Sequence, residues 1–362
     1  MMTTGKKFVL LLQSGMGIPV KGMPVIDGEK EWLVVMGLAK KQAVQGILER
    51  GIRKLPEDQR PPRKLFLRSY MQSEKIATLN RKIDEEAVKL ADFLKEEGFT
   101  CCILKGQGNG QMYPDSTARV PGDIDVWVAA PAEQVIAFAR KAKPNAKAGY
   151  HHVDYAKRDG VEVELHYRPA FLNNPIYNRR LQKWFLSERA SQCEHRVALA
   201  SGLGEICVPT DSFNRIFQMA HIMNHIIHEG IGMRQLMDYY FLLKRGFTQE
   251  ERLRDEQLLR RFGLYDIAGA VMYVLHWLFG LPEEQMIVGP DKKRGVLLLK
   301  EVLHGGNFGH YDPQVQRTHT QMGQNVLRLK RDWKLLTAFP GECLSEPLFR
   351  WWHFFWRLRH RG

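Results

Sequence analysis

Asp123-Ile-Asp125 is the stretch of this sequence whose residue types and spacing point most directly to chemistry. On an extended strand, side chains two residues apart share a face and lie about 6.6 Å apart along the chain. Two carboxylates held this way repel unless a cation sits between them. A hard divalent cation such as Mg2+ suits that place, because it takes oxygen ligands and also holds substrate phosphates. Ile124 and Val126 point the other way, as an apolar core would want. The same pattern suits an exposed edge strand with two solvated acids, and D-x-D is short enough to arise often by chance.

Two further features accompany it. Lys105-Gly106 follows the apolar run Ile103-Leu104 and precedes a short helical stretch, Gln107 to Met112. A glycine at a strand-to-helix turn lets backbone N–H groups approach a phosphate, and Lys105 would supply a cation. An ordinary turn would look the same. In Val161 to Tyr167, strict alternation puts Glu162, Glu164 and His166 on one face and Val161, Val163 and Leu165 on the other. An acid entering from such a neighbouring strand would complete a metal site able to polarise an attacking hydroxyl. A hairpin with one solvated face is the plain alternative.

The elements that must position these residues follow from periodicity and punctuation. Apolar spacing of three and four residues predicts helices over Glu29 to Lys41 and Gln42 to Gly51, and one long helix or two abutting ones over Leu65 to Glu97, stopped by Gly98. Short β-type runs follow at Phe99 to Leu104 and Asp123 to Val128, then a helix at Ala132 to Lys143. Strands at Gly149 to Ala156 and Val161 to Tyr167 flank the turn Lys157-Arg-Asp-Gly160. Asn178 to Val208 gives no clear assignment. After Thr210-Asp211, an N-cap signal, helices are expected at 212–228, 233–245, 250–262, 265–280, 291–304 and 314–336. The domain organisation expected is an N-terminal helical region (1–97), an α/β unit (98–208) and a C-terminal helical region (209–362).

Strand, glycine turn, short helix, D-x-D strand and a later acid-bearing strand form the layout of the polymerase-beta-like nucleotidyltransferase superfamily. Lys105-Gly106, Tyr113-Pro114, Arg119 and Gly122-Asp123-Ile124-Asp125-Val126, at their spacing, resemble the signature of the uncharacterised nucleotidyltransferase family. Val163-Glu164-Leu165-His166-Tyr167-Arg168 resembles that family's third block. Asp211 to Leu243, with His221, His225, Arg234 and Asp238, is similar to its downstream helices. The resemblance implies an α/β (α+β) nucleotidyltransferase core with a small mixed sheet between helical regions. It also implies metal-dependent transfer of a nucleoside monophosphate from an NTP to an acceptor hydroxyl, releasing pyrophosphate. On that reading Asp123, Asp125 and Glu164 are catalytic and hold Mg2+ or Mn2+, with Glu164 helping to activate the acceptor. Lys105, Gly106, Gln107 and Gly122 would line the triphosphate, while Arg119 either neutralises a phosphate or anchors the loop leading to Gly122-Asp123. The wider superfamily carries Gly-Ser where this chain has Gly106-Gln107. The acceptor is a small molecule, a protein or an RNA. The alternative reading on the same fold is a non-catalytic nucleotide-binding module, or a basic membrane- or RNA-associated adaptor.

Other residues have weaker claims. His221, His225 and His228 share one helical face, a spacing that suits zinc but lacks companion acids or cysteines. Packing is the expected role, with His166, His221 and His225 as candidate substrate contacts. His151-His152 is expected to be exposed. The segment Leu348 to Gly362 crowds six aromatics among arginines, which suits a closing helix or peripheral membrane contact through residues 348–361.

Composition sets the frame. The 362 residues are 44% hydrophobic and 26% charged, a globular balance that excludes collagen-like, coiled-coil and wholly disordered classes. Lys and Arg number 53 against 40 Asp and Glu, leaving +13, which favours an anionic partner. The five cysteines include no C-x-x-C pair, so reduced thiols are expected. Phe8 to Leu12 is too short an apolar run for a secretory leader and is expected to be a buried strand or helix turn. These features together predict a cytoplasmic protein.

Overall fold

The computed structural model describes residues 2–311 and 321–359. Thr3 caps the first helix, α1 (Thr4–Gly15), by accepting the amide of Lys6. Phe8, Leu11 and Leu12 are therefore buried from a helix, and no strand forms there. Next come α2 (Gly28–Gln42) and α3 (Gln45–Arg53), separated because Ala43 takes the left-handed conformation. The long helix α4 (Arg63–Glu96) is unbroken over 34 residues.

The α/β unit begins with β1 (Cys101–Leu104), α5 (Gly106–Gly110), β2 (Ile124–Val128) and α6 (Ala132–Ala142). It continues with β3 (His152–Asp154) and β4 (Val163–His166), whose hairpin matches the expected turn. The sheet order is β1-β2-β4-β3, with β2 and β4 parallel and both outer pairings antiparallel, so the sheet is small and mixed. The region left unassigned from the sequence holds α7 (Pro175–Glu194) and a hairpin of β5 (Arg196–Ala198) and β6 (Glu205–Cys207).

Helices follow among the described residues: α8 (Asp211–His228), α9 (Met233–Lys244), α10 (Gln249–Arg261), α11 (Tyr265–Phe279), α12 (Lys292–Gly305), α13 (Gln321–Leu335) and α14 (Pro340–Arg359). Residues 314–320 of the expected helix at 314–336 and residues 360–362 of the aromatic segment lie outside the described residues. No helix among the described residues is long and apolar enough to cross a membrane. All five cysteines are free.

Two hydrophobic clusters hold the sheet. Ile103, Val126 and Leu165 pack against Ile83, Ala87 and Leu90 of α4 and Val135 of α6. The opposite face gives Leu104 and Trp127 to a larger core that joins α1–α3 to α8–α12. The alternation of β2 thus works as its sequence requires: Ile124 and Val126 feed one core, while Asp125 and Trp127 face the other side.

α14 has two faces. Phe349 and Trp352 pack on Tyr150, with ring centroids 5.5 and 5.2 Å away, and Phe349 also stacks on Phe171 at 4.9 Å. Trp351, Phe354, Phe355 and Leu358 remain exposed. The terminal segment therefore closes the fold with half of its aromatics.

One close approach bears on the site. A Cβ at Gly46 would stand 2.2 Å from the Ala118 carbonyl oxygen, so α3 presses directly on the turn Ser116–Ala118 that delivers Arg119. Gly46→Ala should destabilise the protein by roughly 1–3 kcal/mol, because the clash is with backbone and only a backbone shift relieves it. Thermal denaturation reads this, and an unchanged melting temperature would contradict it.

Candidate active site

The parallel pairing of β2 and β4 sets Asp125 opposite Glu164. On its other side β2 pairs with β1 so that Asp125 stands opposite Leu104, immediately before Lys105. Lys105 has φ 50° and Gly106 φ 39°, so the chain turns through the left-handed region just where the strand ends. A non-glycine residue in that region costs energy and persists only where its surroundings hold it. Here the turn brings the Lys105 ammonium to 3.0 Å from Asp125 Oδ2.

The other oxygen of Asp125 is also taken. His166 Nε2 lies 2.8 Å from Asp125 Oδ1 and 3.4 Å from Glu164 Oε2, while its Nδ1 reaches the Arg168 carbonyl at 3.3 Å. With acceptors on both ring nitrogens, the ring donates from both. Burial opposes that charge, but the hydrogen bonds to Asp125 and Glu164 outweigh it and raise the imidazole to about 9. Asp125 responds in the opposite sense: burial disfavours its charge, yet Lys105 and His166 hold it well below the usual carboxylate range. For Glu164 too, burial is outweighed by the His166 hydrogen bond, and its carboxyl is lowered.

Asp123 differs from both. It is exposed at the mouth of the cleft yet crowded by protein on its other sides, and no ion pair reaches it among the described residues. The charge of Asp125, with partial burial, pushes its carboxyl up to about 6. The cluster therefore carries one acid in want of a cation. Asp125 and Glu164 side by side, with Asp123 two residues earlier, are oxygen donors of the kind a divalent cation takes. Asp125, Glu164 and His166 offer ligand atoms within 4.8 Å of one another.

The cleft is completed from far along the sequence. Lys105, Gly106, Arg119, Gly122, Asp123 and Asp125 line it together with His221 of α8 and Arg234 of α9. Arg119 is buried and forks onto Asp238, Nε and Nη2 each 2.8 Å from a carboxylate oxygen. Tyr113 adds a third bond to Asp238 at 2.6 Å. Of the two roles considered for Arg119, these contacts are those of an anchor. Gln107 does not join the cleft: its amide is bonded to Asp84 on α4 at 2.9 Å and lines a neighbouring cavity. His221 faces the cleft as a neutral imidazole, since burial and then Lys105 push it well below its ordinary value. His225 instead pairs with Glu229 at 3.1 Å, and with His221 and His228 it forms no group of metal ligands among the described residues.

Two contributors were not expected from sequence. His152 is half-buried rather than exposed, because β3 pairs with β4 in a register that sets it opposite His166, with Nδ1 3.3 Å from Glu164 Oε2. Arg234 is only 8% exposed and donates Nη1 to the carbonyls of Val120 (3.1 Å) and Pro121 (3.4 Å), ahead of Gly122-Asp123. Its Nε has no partner, and burial followed by the nearby Arg119 lowers the guanidinium to about 10. The available signal was an arginine and an aspartate four residues apart on a predicted helix, Arg234 and Asp238, in an otherwise buried run.

An acid pair at the head of a central strand, a third acid on its parallel neighbour and a glycine turn beside them define a protein of the nucleotidyltransferase class. The sequence profile described as "uncharacterised nucleotidyltransferase" matches residues 28–280, and the chain belongs to that family. Comparison with curated proteins finds no match. Among solved structures, the chain is similar to an antigenic nucleotidyltransferase-like protein from Paracoccidioides brasiliensis. The two share 14% identity over 55% of this chain and 93% of that one, with a TM-score of 0.31.

Proposed function

We propose that this cleft transfers a nucleoside monophosphate from an NTP to a hydroxyl-bearing acceptor and releases pyrophosphate. The observation that carries the reading is the register of β2 against β4, which sets Asp125 beside Glu164 with Asp123 two residues earlier. Asp123, Asp125 and Glu164 would hold Mg2+ or Mn2+. When bound, the ion would neutralise the phosphate oxygens and polarise the attacking hydroxyl.

The chain's own groups divide the remaining work. Lys105 and Arg234 are cations that face the cleft, and they suit the charge that builds on the departing pyrophosphate. Glu164 is partly exposed and kept ionised by His166, so it can accept the proton of the acceptor hydroxyl. The acceptor oxygen forms its bond to the α-phosphorus as the bond from that phosphorus to the bridging oxygen breaks, and pyrophosphate leaves with the electron pair. His166 and His152 orient Glu164, and Arg119 with Asp238 fixes the loop that carries Asp123.

Arg234→Met is expected to weaken NTP binding about ten- to a hundredfold, the scale of a lost charged hydrogen bond. Calorimetry of NTP binding, paired with a pyrophosphate assay on the unaltered protein, tests both halves of the reading. Unchanged affinity in Arg234→Met removes that residue from the phosphate site. Tight NTP binding without pyrophosphate release would favour a non-catalytic nucleotide-binding module.

A further inference from the structure

We propose that the cavity beneath α14 is a second binding site, for a single-chain amphiphilic anion: an aliphatic tail with a phosphate or carboxylate head. The cavity encloses about 760 Å3, within the size of known small-molecule sites. None of its lining residues is shared with the acidic cleft, so the proposal does not depend on nucleotidyl transfer.

Three observations select the ligand. First, the walls are apolar: Trp127, Phe185 and Leu186 face Leu348, Phe349 and Trp352. Leu186 and Leu348 are 60% and 72% exposed, so the apolar lining continues to the rim, where a chain can enter. Second, Arg168, Arg179, Lys183 and Arg189 also line the cavity, whereas no aspartate or glutamate does. Arg179, Lys183 and Leu186 fall at four- and three-residue spacing, on one face of α7. Arg179 and Lys183 form no ion pair among the described residues. Four cations and no acid line the hollow. The Glu342 carboxyl behind Asn173 is taken by the Asn173 and Asn174 amides and pushed up to about 7 by burial, so the lining leaves a charge that an anionic head group would answer.

The third observation is a buried polar atom. Asn173 is only 2% exposed and lines the same cavity. Its Oδ1 is taken by His228 Nε2 at 3.2 Å, but its Nδ2 has no hydrogen-bond partner. A buried donor left this way costs roughly 1–3 kcal/mol, and a turn of the side chain toward the cavity would let a head-group oxygen satisfy it. An uncharged lipid would leave the cations unanswered, and a bare phosphate would leave the apolar walls empty.

The test uses the full chain and dodecyl phosphate below its critical micelle concentration, followed by calorimetry and by tryptophan fluorescence. Dodecanoate forms the second arm, and the tighter of the two identifies the head group. Saturable binding is expected for at least one. Arg179→Glu/Lys183→Glu and Leu348→Glu, all at exposed positions, should each weaken it at least tenfold with unchanged circular dichroism and melting temperature. Failure of both ligands to bind would overturn the proposal, as would n-dodecyl maltoside or inorganic phosphate binding equally well. So would displacement by NTP, or an affinity that ignores Arg179→Glu/Lys183→Glu.

Discussion

Asp123→Asn and Asp125→Asn are expected to remove nucleotidyl transfer alike while moving stability in opposite directions. Each deletes a carboxylate proposed to hold the metal, an interaction on the order of several kcal/mol at the transition state. At about 1.4 kcal/mol per tenfold change, the rate should fall about a thousandfold or more in either variant. Stability separates them because the two acids have different partners. Asp125 is buried and answers both Lys105 and His166. Its neutral replacement strands the buried His166 imidazolium and the half-buried Lys105 ammonium, a loss of roughly 3–5 kcal/mol. Asp123 has no ion pair among the described residues and is repelled by Asp125, so Asp123→Asn should melt at the same temperature or higher in metal-free buffer. Chemical denaturation beside a pyrophosphate assay reads both quantities. A destabilised Asp123→Asn, or either variant retaining transfer, would contradict this division of roles.

Arg119→Met should be among the most damaging single changes for stability. The guanidinium and the Asp238 carboxylate are both buried and joined by two hydrogen bonds. Removing one partner leaves the other charge uncompensated, which costs about 3–5 kcal/mol. Tyr113 and Asn109 would still donate to Asp238, so the lower end of that range is expected. Adding Asp238→Leu should recover a large part of the loss, since the penalty lies in the stranded charge. A double variant no more stable than Arg119→Met would instead mean that the pair positions the loop through geometry that no apolar contact replaces. The prediction that the loss comes from the stranded charge would then be wrong.

Much of this site was legible in the sequence because period-two alternation is a local property. Asp123, just ahead of β2, with Asp125 on it, and Glu164 with His166 on β4, could be assigned to faces without knowing the sheet. Strand order could not be obtained that way. Only the pairing of β2 with β4 makes Glu164 a neighbour of Asp125, and only β3 in its register makes His152 a partner of Glu164. Gln107 was expected at the triphosphate because it follows Gly106. The short helix α5 turns it instead toward Asp84, on a helix whose nearest approach no local pattern announces.

The helix α7 escaped for a different reason. Its exposed face mixes Arg179, Arg180 and Lys183 with Ile176 and Leu186, and its apolar periodicity is weak, yet its start was marked. Asn174 caps it by accepting the amides of Ile176 and Tyr177, and Pro175 occupies its first turn. Thr3 gave a similar start signal for α1, where a short apolar run was read as strand or helix turn. Arg234 lies more than a hundred residues from Asp123, and its place in the cleft depends on how α9 packs beside the loop at Val120-Pro121. The charge excess also gains a location in part. Four cations with no acid line the cavity beneath α14, apart from the acidic cleft.

The central claim is that the α-phosphate moves and pyrophosphate leaves. It is tested most directly by incubating the protein with α-labelled NTPs, Mg2+ or Mn2+, and cell extract separated into metabolite, RNA and protein fractions. The account predicts label in one fraction, pyrophosphate in equal amount, and neither with Asp123→Asn. Release of the γ-phosphate alone, or bound NTP that yields neither label nor pyrophosphate, would contradict it.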